Sequence, residues 1–338
     1  MTEKDFLSKS KGIDINSGSV KWQAPSNIAL VKYWGKKENQ IPANPSISFT
    51  LNNCKTITGL FFEKTNSSEK SIDFEFYLHG VLKEDFKPKI REFFKKIDKY
   101  CPFLRQYRFK IHSENTFPHS SGIASSASGM AALAMCVMDM EKLLFPEITD
   151  DYFYKKASFL ARLGSGSACR SVKGELIVWG DHSEIPGSSN LYGVEYPFEV
   201  HQNLNNFQDT ILLVDKGEKQ VSSSVGHNLM HGHPFAAARF KQAEENLKNL
   251  IPVLKNGDLS GFFKIVESEA LSLHAMMLSS EPYFILMKPN TLEIINKIWN
   301  FRKNTGTPIC FTLDAGANVH LLYPESAAKK VSEFIKNE

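Results

Sequence analysis

The side chains with the means to do chemistry lie in short blocks far apart in the chain. The densest is residues 117 to 130, Phe-Pro-His-Ser-Ser-Gly-Ile-Ala-Ser-Ser-Ala-Ser-Gly-Met. It follows a strand-like run at 107 to 111 and leads into an apolar helical pattern through Ala131, Leu133, Ala134 and Val137. Small residues at such a junction let a backbone approach a ligand closely. The first turn of a helix has unpaired N–H groups and a partial positive charge, a combination that suits an anion. Ser120, Ser121, Ser125 and Ser126 add hydroxyl donors, and a hydroxyl can also ligate Mg²⁺. The same Ser-Ser-Gly run can simply cap a helix. It is not a Walker loop, because it lacks the Gly-Lys-Ser/Thr ending.

The other candidates are charged. Asp314 ends an apolar run and precedes Ala-Gly-Ala-Asn, so it reads either as an Asx turn or as a carboxylate held at the mouth of a cleft. Arg170 sits in a second small-residue loop, Gly164-Ser165-Gly166-Ser167-Ala168-Cys169-Arg170-Ser171. It is either a surface charge or a fork able to grip a carboxylate at two points. Lys32 and Lys36 follow an apolar run; on a solvated face their spacing is ordinary, but in a cleft it matches a phosphorylated ligand. His227, His231 and His233 raise the question of a metal, but no HExxH carboxylate accompanies them.

Regular elements must position these groups. Residues 19 to 23 read as a strand stopped by Pro25, with further strands at 46 to 51, 56 to 62 and 72 to 78. Helical spacing marks 86 to 100, 123 to 144 and 149 to 163. A strand at 176 to 179 precedes a Gly/Ser and proline stretch near 187 to 190 that reads as a domain junction. The second half opens with a strand at 210 to 214, then helices at about 234–255, 258–277 and 290–303. Strands at 309 to 313 and 319 to 323 flank Asp314, and a last helix follows. Residues 1 to about 17 are polar and read as a loose arm.

Composition narrows the class. A chain of 338 residues is long for one compact unit, so two domains are expected. At 42% hydrophobic and 23% charged it is ordinary globular material. The net charge of +3 comes from interspersed residues and does not point to nucleic acid. Five widely spaced cysteines include no CxxC pair, which suggests neither a zinc site nor a disulfide framework and fits the cytoplasm. No apolar stretch is long enough to span a bilayer, and residues 1 to 6 lack a signal-peptide core, so no membrane partner is expected.

Together, Asn27-Ile28-Ala29-Leu30-Val31-Lys32-Tyr33-Trp34-Gly35-Lys36, the two small-residue loops and Asp314-Ala315-Gly316-Ala317-Asn318 resemble the diphosphomevalonate decarboxylases of the GHMP kinase superfamily. The matches run in the family's order from residue 24 to residue 323. The resemblance implies a two-domain α/β (α+β) fold, with a ribosomal-protein-like domain over 1–190, a ferredoxin-like domain over 191–338, and the active site in the cleft between them. It implies ATP and Mg²⁺, a diphosphomevalonate substrate and a homodimer. It casts Asp314 as the group that orients or deprotonates the 3-hydroxyl, Lys32 as its cation, and Arg170 with Asn27 as the holder of the C1 carboxylate. Tyr33, Lys36, Ser165, Ser167 and Ser223 match positions that bind the substrate's diphosphate and backbone oxygens. Ser120, Ser121, Gly122, Ser125 and Ser126 match the nucleotide loop, with Ser126 near the transferred phosphate and Mg²⁺.

Two departures from the family pattern stand out. Ser224 and His227 replace an Arg and a Met found in many bacterial relatives, and His227 supplies charge only if protonated. This opens a second reading, a decarboxylase of mevalonate 5-phosphate. Ala317 replaces a turn proline, a change that loosens the turn without removing chemistry. A small-molecule kinase that stops at phosphorylation, and a non-catalytic relative, are further readings; retention of Asp314, Lys32 and Arg170 argues against both.

Overall fold

We describe the fold from a computed structural model that defines residues 1–8, 12–65, 72–117, 123–215 and 223–338, with the backbone alone at Ser223 and Ser224. β1 (Ser17–Val31) and β2 (Ser46–Lys64) pair antiparallel along most of their length. The sequence suggests shorter strands here, with Pro25 as a stop. Instead the register slips between Pro25 and Ser26, so the missing N–H falls at an irregularity and the strand continues. β3 (Phe74–Leu78), β4 (Val81–Leu82), β5 (Tyr107–Asn115), β6 (Leu176–Trp179) and β7 (Val194–Glu195) complete a seven-stranded sheet among the described residues. Its order is β4-β3-β5-β2-β6-β7, with β1 also on β2. Because β7 pairs with β6, the sheet continues past the junction expected at residue 190.

Helices α1 (Lys87–Ile97), α2 (Ser125–Leu144) and α3 (Asp150–Gly164) share a core with this sheet, joining Phe93, Leu133 and Phe159 to Leu60 and Phe109. α2 is apolar on nearly every side: all residues from Ala131 to Val137 are buried. A helix of that kind belongs in the middle of a core. The expected loose arm is corrected at Phe6, which is buried and stacks on Phe159 with centroids 4.4 Å apart. An aromatic ring with a core slot available does not stay in solvent. Ser8 adds a hydrogen bond to Glu141, itself paired with the buried Lys156 at 2.6 Å.

The second half contains α4 (Gln202–Asn205), β8 (Phe207–Leu212), α5 (Ser223–Asn228), α6 (Ala236–Asn256), α7 (Leu259–Leu278), α8 (Pro289–Thr305), β9 (Cys310–Thr312), β10 (Val319–Pro324) and α9 (Ala328–Asn337). β8, β10 and β9 form an antiparallel sheet in that order. Gly257 ends α6 in the left-handed conformation at φ 67° and Asp258 caps α7 through the Gly261 N–H, so the two helices fold back on each other. α8 and α9 cover one face of the small sheet, with Ile298 and Val331 against Phe311 and Leu321. On the other face Cys310 and Leu322 join Leu250 and Phe262, and with them Leu30 and Ile47 of the large sheet. This shared core brings the end of β1 against the end of β9.

Candidate active site

Lys32 is the first residue after β1 and is almost fully buried. Its Nζ donates to Asp314 Oδ1 at 3.1 Å, while the Asp314 side chain stays 30% exposed toward a cavity. Burial lowers the Lys32 pKa from the usual lysine range, and the charges of Asp314 and Glu269 oppose that shift. Asp314 lies two residues beyond β9, where the Gly316 N–H bonds its carbonyl at 2.7 Å and makes the turn tight. Both motifs therefore deliver their charged groups from the ends of strands.

Arg170 is also buried, and no carboxylate pairs with it among the described residues. Its Nη1 donates to Ser46 Oγ at 2.6 Å and its Nε to Ser48 Oγ at 3.0 Å. Asn27 Oδ1 accepts from Nη2 at 3.3 Å and shares the Nε hydrogen at 3.4 Å. A guanidinium has five N–H donors. Three are thus held by the protein, and two are left on a group that lines the cavity. Asn27 is fixed in turn by Ser171 Oγ at 2.7 Å and the Ser167 carbonyl at 3.2 Å. Ser46 and Ser48 were not anticipated, although two serines alternating within an apolar strand are a readable sign of an inward polar partner.

The cavity has a volume of about 370 Å³ and is lined by Lys32, Lys36, Lys89 and Arg170 with Asp314 as its carboxylate. Tyr33, Ser165, Ser167 and His227 also line it, so the structure brings these expected groups together. The Tyr33 hydroxyl has no partner among the described residues, and burial pushes its pKa up. Burial, with Lys96 as a second cause, lowers that of Lys36. His227 answers a question the sequence leaves open. Its Nδ1 accepts the Gly35 N–H at 3.0 Å and its ring lies 4.2 Å from Tyr33 and 4.6 Å from Trp34. Burial, followed by Lys36 and Arg170, pushes its pKa down to about 3, so it is neutral and supplies no charge.

Ser125 and Ser126 open α2, preceded by Ala124 in the left-handed region at φ 44°. Alanine offers no side-chain acceptor, so the first-turn N–H groups gain no cap from it. Ser126 Oγ is 3.4 Å from Ser165 Oγ, which ties the two small-residue loops together. Ser120, Ser121 and Gly122 lie outside the described residues, as do the side chains of Ser223 and Ser224. A second cavity of about 210 Å³ adjoins the first, sharing Ser125, Ser126 and Lys89 with it. Its walls are mainly apolar, with Phe76, Ile90, Ile111, Met130 and Leu133, and Thr56, Thr58, Ser113 and Asn115 add polar groups. The start of α2 therefore stands between a cationic chamber and an apolar one, a division that periodicity alone does not reveal. His233 is spent on structure, with Nδ1 accepting the Phe235 N–H at 3.1 Å and Nε2 near the Met276 carbonyl at 3.1 Å. Among the described residues no group of three His, Cys, Asp or Glu could hold a metal.

The layers and the cleft define the two-domain GHMP-kinase fold. Family models match both halves: the diphosphomevalonate decarboxylase-like N-terminal domain over residues 24–190 and the mevalonate 5-diphosphate decarboxylase C-terminal domain over 210–338. The diphosphomevalonate decarboxylase of Saccharomyces cerevisiae is 30% identical over 333 residues, covering 92% of this chain and 79% of the yeast protein. The crystal structure of a mevalonate diphosphate decarboxylase from Legionella pneumophila is 30% identical with a TM-score of 0.80, covering 95% of this chain and 98% of the other. A structure of MDDEF in complex with MVAPP, AMPPCP and magnesium has a TM-score of 0.81 at 29% identity, covering 95% and 93%. The chain belongs to the diphosphomevalonate decarboxylase family.

Proposed function

We propose that this chain carries out the ATP- and Mg²⁺-dependent decarboxylation of (R)-5-diphosphomevalonate to isopentenyl diphosphate, ADP, phosphate and CO₂, as in the mevalonate pathway. The observation that carries the reading is Arg170: a buried cation with no carboxylate partner among the described residues and two donors left, in the same cavity as the Lys32–Asp314 pair. A kinase needs a base and a phosphate site but has no use for a carboxylate clamp.

Asp314 accepts the proton of the tertiary 3-hydroxyl as its oxygen attacks the terminal phosphorus of ATP and ADP departs. Lys32 balances the carboxylate's charge. The C3–O bond then breaks, its electron pair leaving with phosphate, a far better leaving group than hydroxide. The C1–C2 electrons form the C2=C3 bond, and C1 departs as CO₂. Arg170 and Asn27 hold the C1 carboxylate; because a strong bond there also stabilises the ground state, they act by orientation. Tyr33, Lys36, Ser165, Ser167, Ser223 and Ser224 take the phosphorylated end. The largely apolar cavity beside Ser125, Ser126 and Lys89 would take the adenine, and the family resemblance assigns Ser120, Ser121 and Gly122 with Ser125 and Ser126 to the nucleotide's phosphates. The hydroxyl of Ser126 is a hard oxygen donor of the kind Mg²⁺ prefers, and the ion there would neutralise charge on the transferred phosphoryl group.

The neutral state of His227 favours a second reading, in which mevalonate 5-phosphate is the preferred substrate. Release of phosphate and CO₂ with ATP-Mg²⁺ is compared for mevalonate, its 5-phosphate and its 5-diphosphate. CO₂ from the diphosphate supports the main reading; preference for the monophosphate favours the second; phosphate transfer without CO₂ overturns both. We place the domain boundary after β7, later than residue 190, because β7 still belongs to the large sheet. All five cysteines are free thiols, which supports a reducing compartment such as the cytoplasm. No helix among the described residues is long and apolar enough to cross a membrane. A homodimer completes the proposal, and light scattering tests it.

A further inference from the structure

Lys32 and Asp314 come from different sheets, and no strand pairing ties one to the other. One helix touches both. On α7, Glu269 Oε2 accepts the backbone N–H of Lys32 at 2.8 Å, and His274 Nε2 donates to the backbone carbonyl of Asp314 at 3.1 Å. We propose that α7 is a two-point clamp, with Glu269 and His274 as positioning residues that set the separation and direction of the Lys32–Asp314 pair. This rests on the assignment of Asp314 as the base.

Both grips are rigid. Glu269 is fully buried, and its second oxygen accepts from Asn246 Nδ2 at 2.6 Å and Arg239 Nη1 at 3.0 Å. Arg239 Nη2 also bonds Oε2, so the carboxylate cannot turn without breaking a buried ion pair. His274 is buried as well, and its direction of donation is fixed because a carbonyl only accepts. Burial drives its pKa down to about 4, so the ring stays neutral and keeps this arrangement across the working pH range. Between the two lies Leu273, which lines the cavity and packs with Trp34. A helix gripped at two backbone points moves both partners together. Misplacement of a reacting group by about 1 Å can cost on the order of 10²-fold in rate, so a clamp of this kind governs turnover without touching substrate.

The charged groups facing Lys32 are Asp314, Glu269 and Arg170, with Arg239 behind Glu269 and His274 uncharged. Three variants test the clamp in the full chain: His274→Phe, which removes the donor; His274→Gln, whose amide nitrogen can replace Nε2; and the double variant Glu269→Leu/Arg239→Met, which removes the acceptor for the Lys32 N–H and leaves no buried charge unpaired. Steady-state kcat, both KM values and the pH dependence of kcat are measured. His274→Phe is expected to lower kcat at least tenfold with KM for ATP within threefold of the parent, and His274→Gln to recover most of the loss. The double variant is expected to lower kcat at least tenfold and to move its alkaline limb to lower pH, because an anion favouring the Lys32 ammonium is gone. Rates within threefold of the parent in both His274→Phe and the double variant overturn the clamp. So does an equal loss in the Phe and Gln variants with an unmoved alkaline limb, which is the mark of a packing defect. Asp314→Asn run alongside separates the two levels: retained activity there removes the base assignment itself, whatever the α7 variants do.

Discussion

Arg170→Gln separates binding chemistry from folding because activity is expected to fall while stability is held. In the free enzyme the guanidinium is held by Ser46, Ser48 and Asn27 and offers two further N–H groups to the cavity. Each charge-assisted hydrogen bond to a carboxylate contributes about 1.5–3 kcal/mol. Two of them give roughly 3–6 kcal/mol, or about 10²- to 10⁴-fold in kcat/KM at 1.36 kcal/mol per decade. The assay is phosphate and CO₂ release from diphosphomevalonate, with KM for ATP measured in parallel and expected to stay unchanged. Stability follows a different sum. Burying a cation without an anion costs several kcal/mol, while its hydrogen bonds to Ser46, Ser48 and Asn27 involve a charged group and return about 1.5–3 kcal/mol each, so the two nearly cancel. The melting temperature of the free variant should therefore stay close to the parent's. A loss in kcat/KM below about threefold refutes the clamp on the substrate carboxylate. Lost activity with a clear fall in melting temperature would instead make Arg170 a structural cation.

Asp314→Asn is expected to abolish turnover with ATP binding nearly intact, as read by nucleotide titration; appreciable residual turnover removes the base assignment. Lys32 must be protonated to serve Asp314, and burial lowers its pKa, so the alkaline limb of kcat is expected below the ordinary lysine value of 10.5. A kcat that stays flat up to that pH contradicts the role. Because His227 titrates near 3, preference between the mono- and diphosphate should not change between about pH 6 and 8 through this residue. A preference that titrates in that window and disappears in His227→Gln would show the ring to be charged. Phe6→Ala should destabilise the protein by about 3–5 kcal/mol, as deletion of a fully buried aromatic does. Denaturant unfolding measures it, and a change below 1 kcal/mol would return the first residues to the status of a loose arm.

The groups legible in the sequence are those whose chemistry is contiguous. Lys32 and Asp314 each follow an apolar strand, and Arg170 lies in a loop of small residues, so type and local spacing announce them before any fold is known. Glu269 and His274 are illegible for the opposite reason. They sit inside a long apolar helix, where an acid and a histidine read as polar interruptions, and their meaning lies in partners 237 residues away in one case and 40 in the other. The charge state of His227 stays open in the sequence because a sequence gives the ordinary pKa, whereas burial between Tyr33 and Trp34 decides the actual one. Pro25 misled for a related reason: its effect on a strand depends on whether the partner's register can slip, and here it does.

The electrostatics of the cleft suggest why the buried charges are placed as they are. Behind the reaction centre, Arg239 and Glu269 form a closed ion pair with both partners buried. At the centre, Lys32 is matched by Asp314. In the chamber itself, Lys36 and Arg170 face no carboxylate of the described lining beyond Asp314, which Lys32 already engages. Charge is thus balanced where geometry must be kept and left positive where a ligand must enter. A substrate bearing a carboxylate and a phosphorylated end supplies the missing anions, and in doing so removes the self-repulsion of the chamber. On this argument binding of the organic substrate should become weaker with rising ionic strength far more steeply for the parent than for Arg170→Gln. Equal salt slopes in the two would mean that the excess charge serves the nucleotide alone.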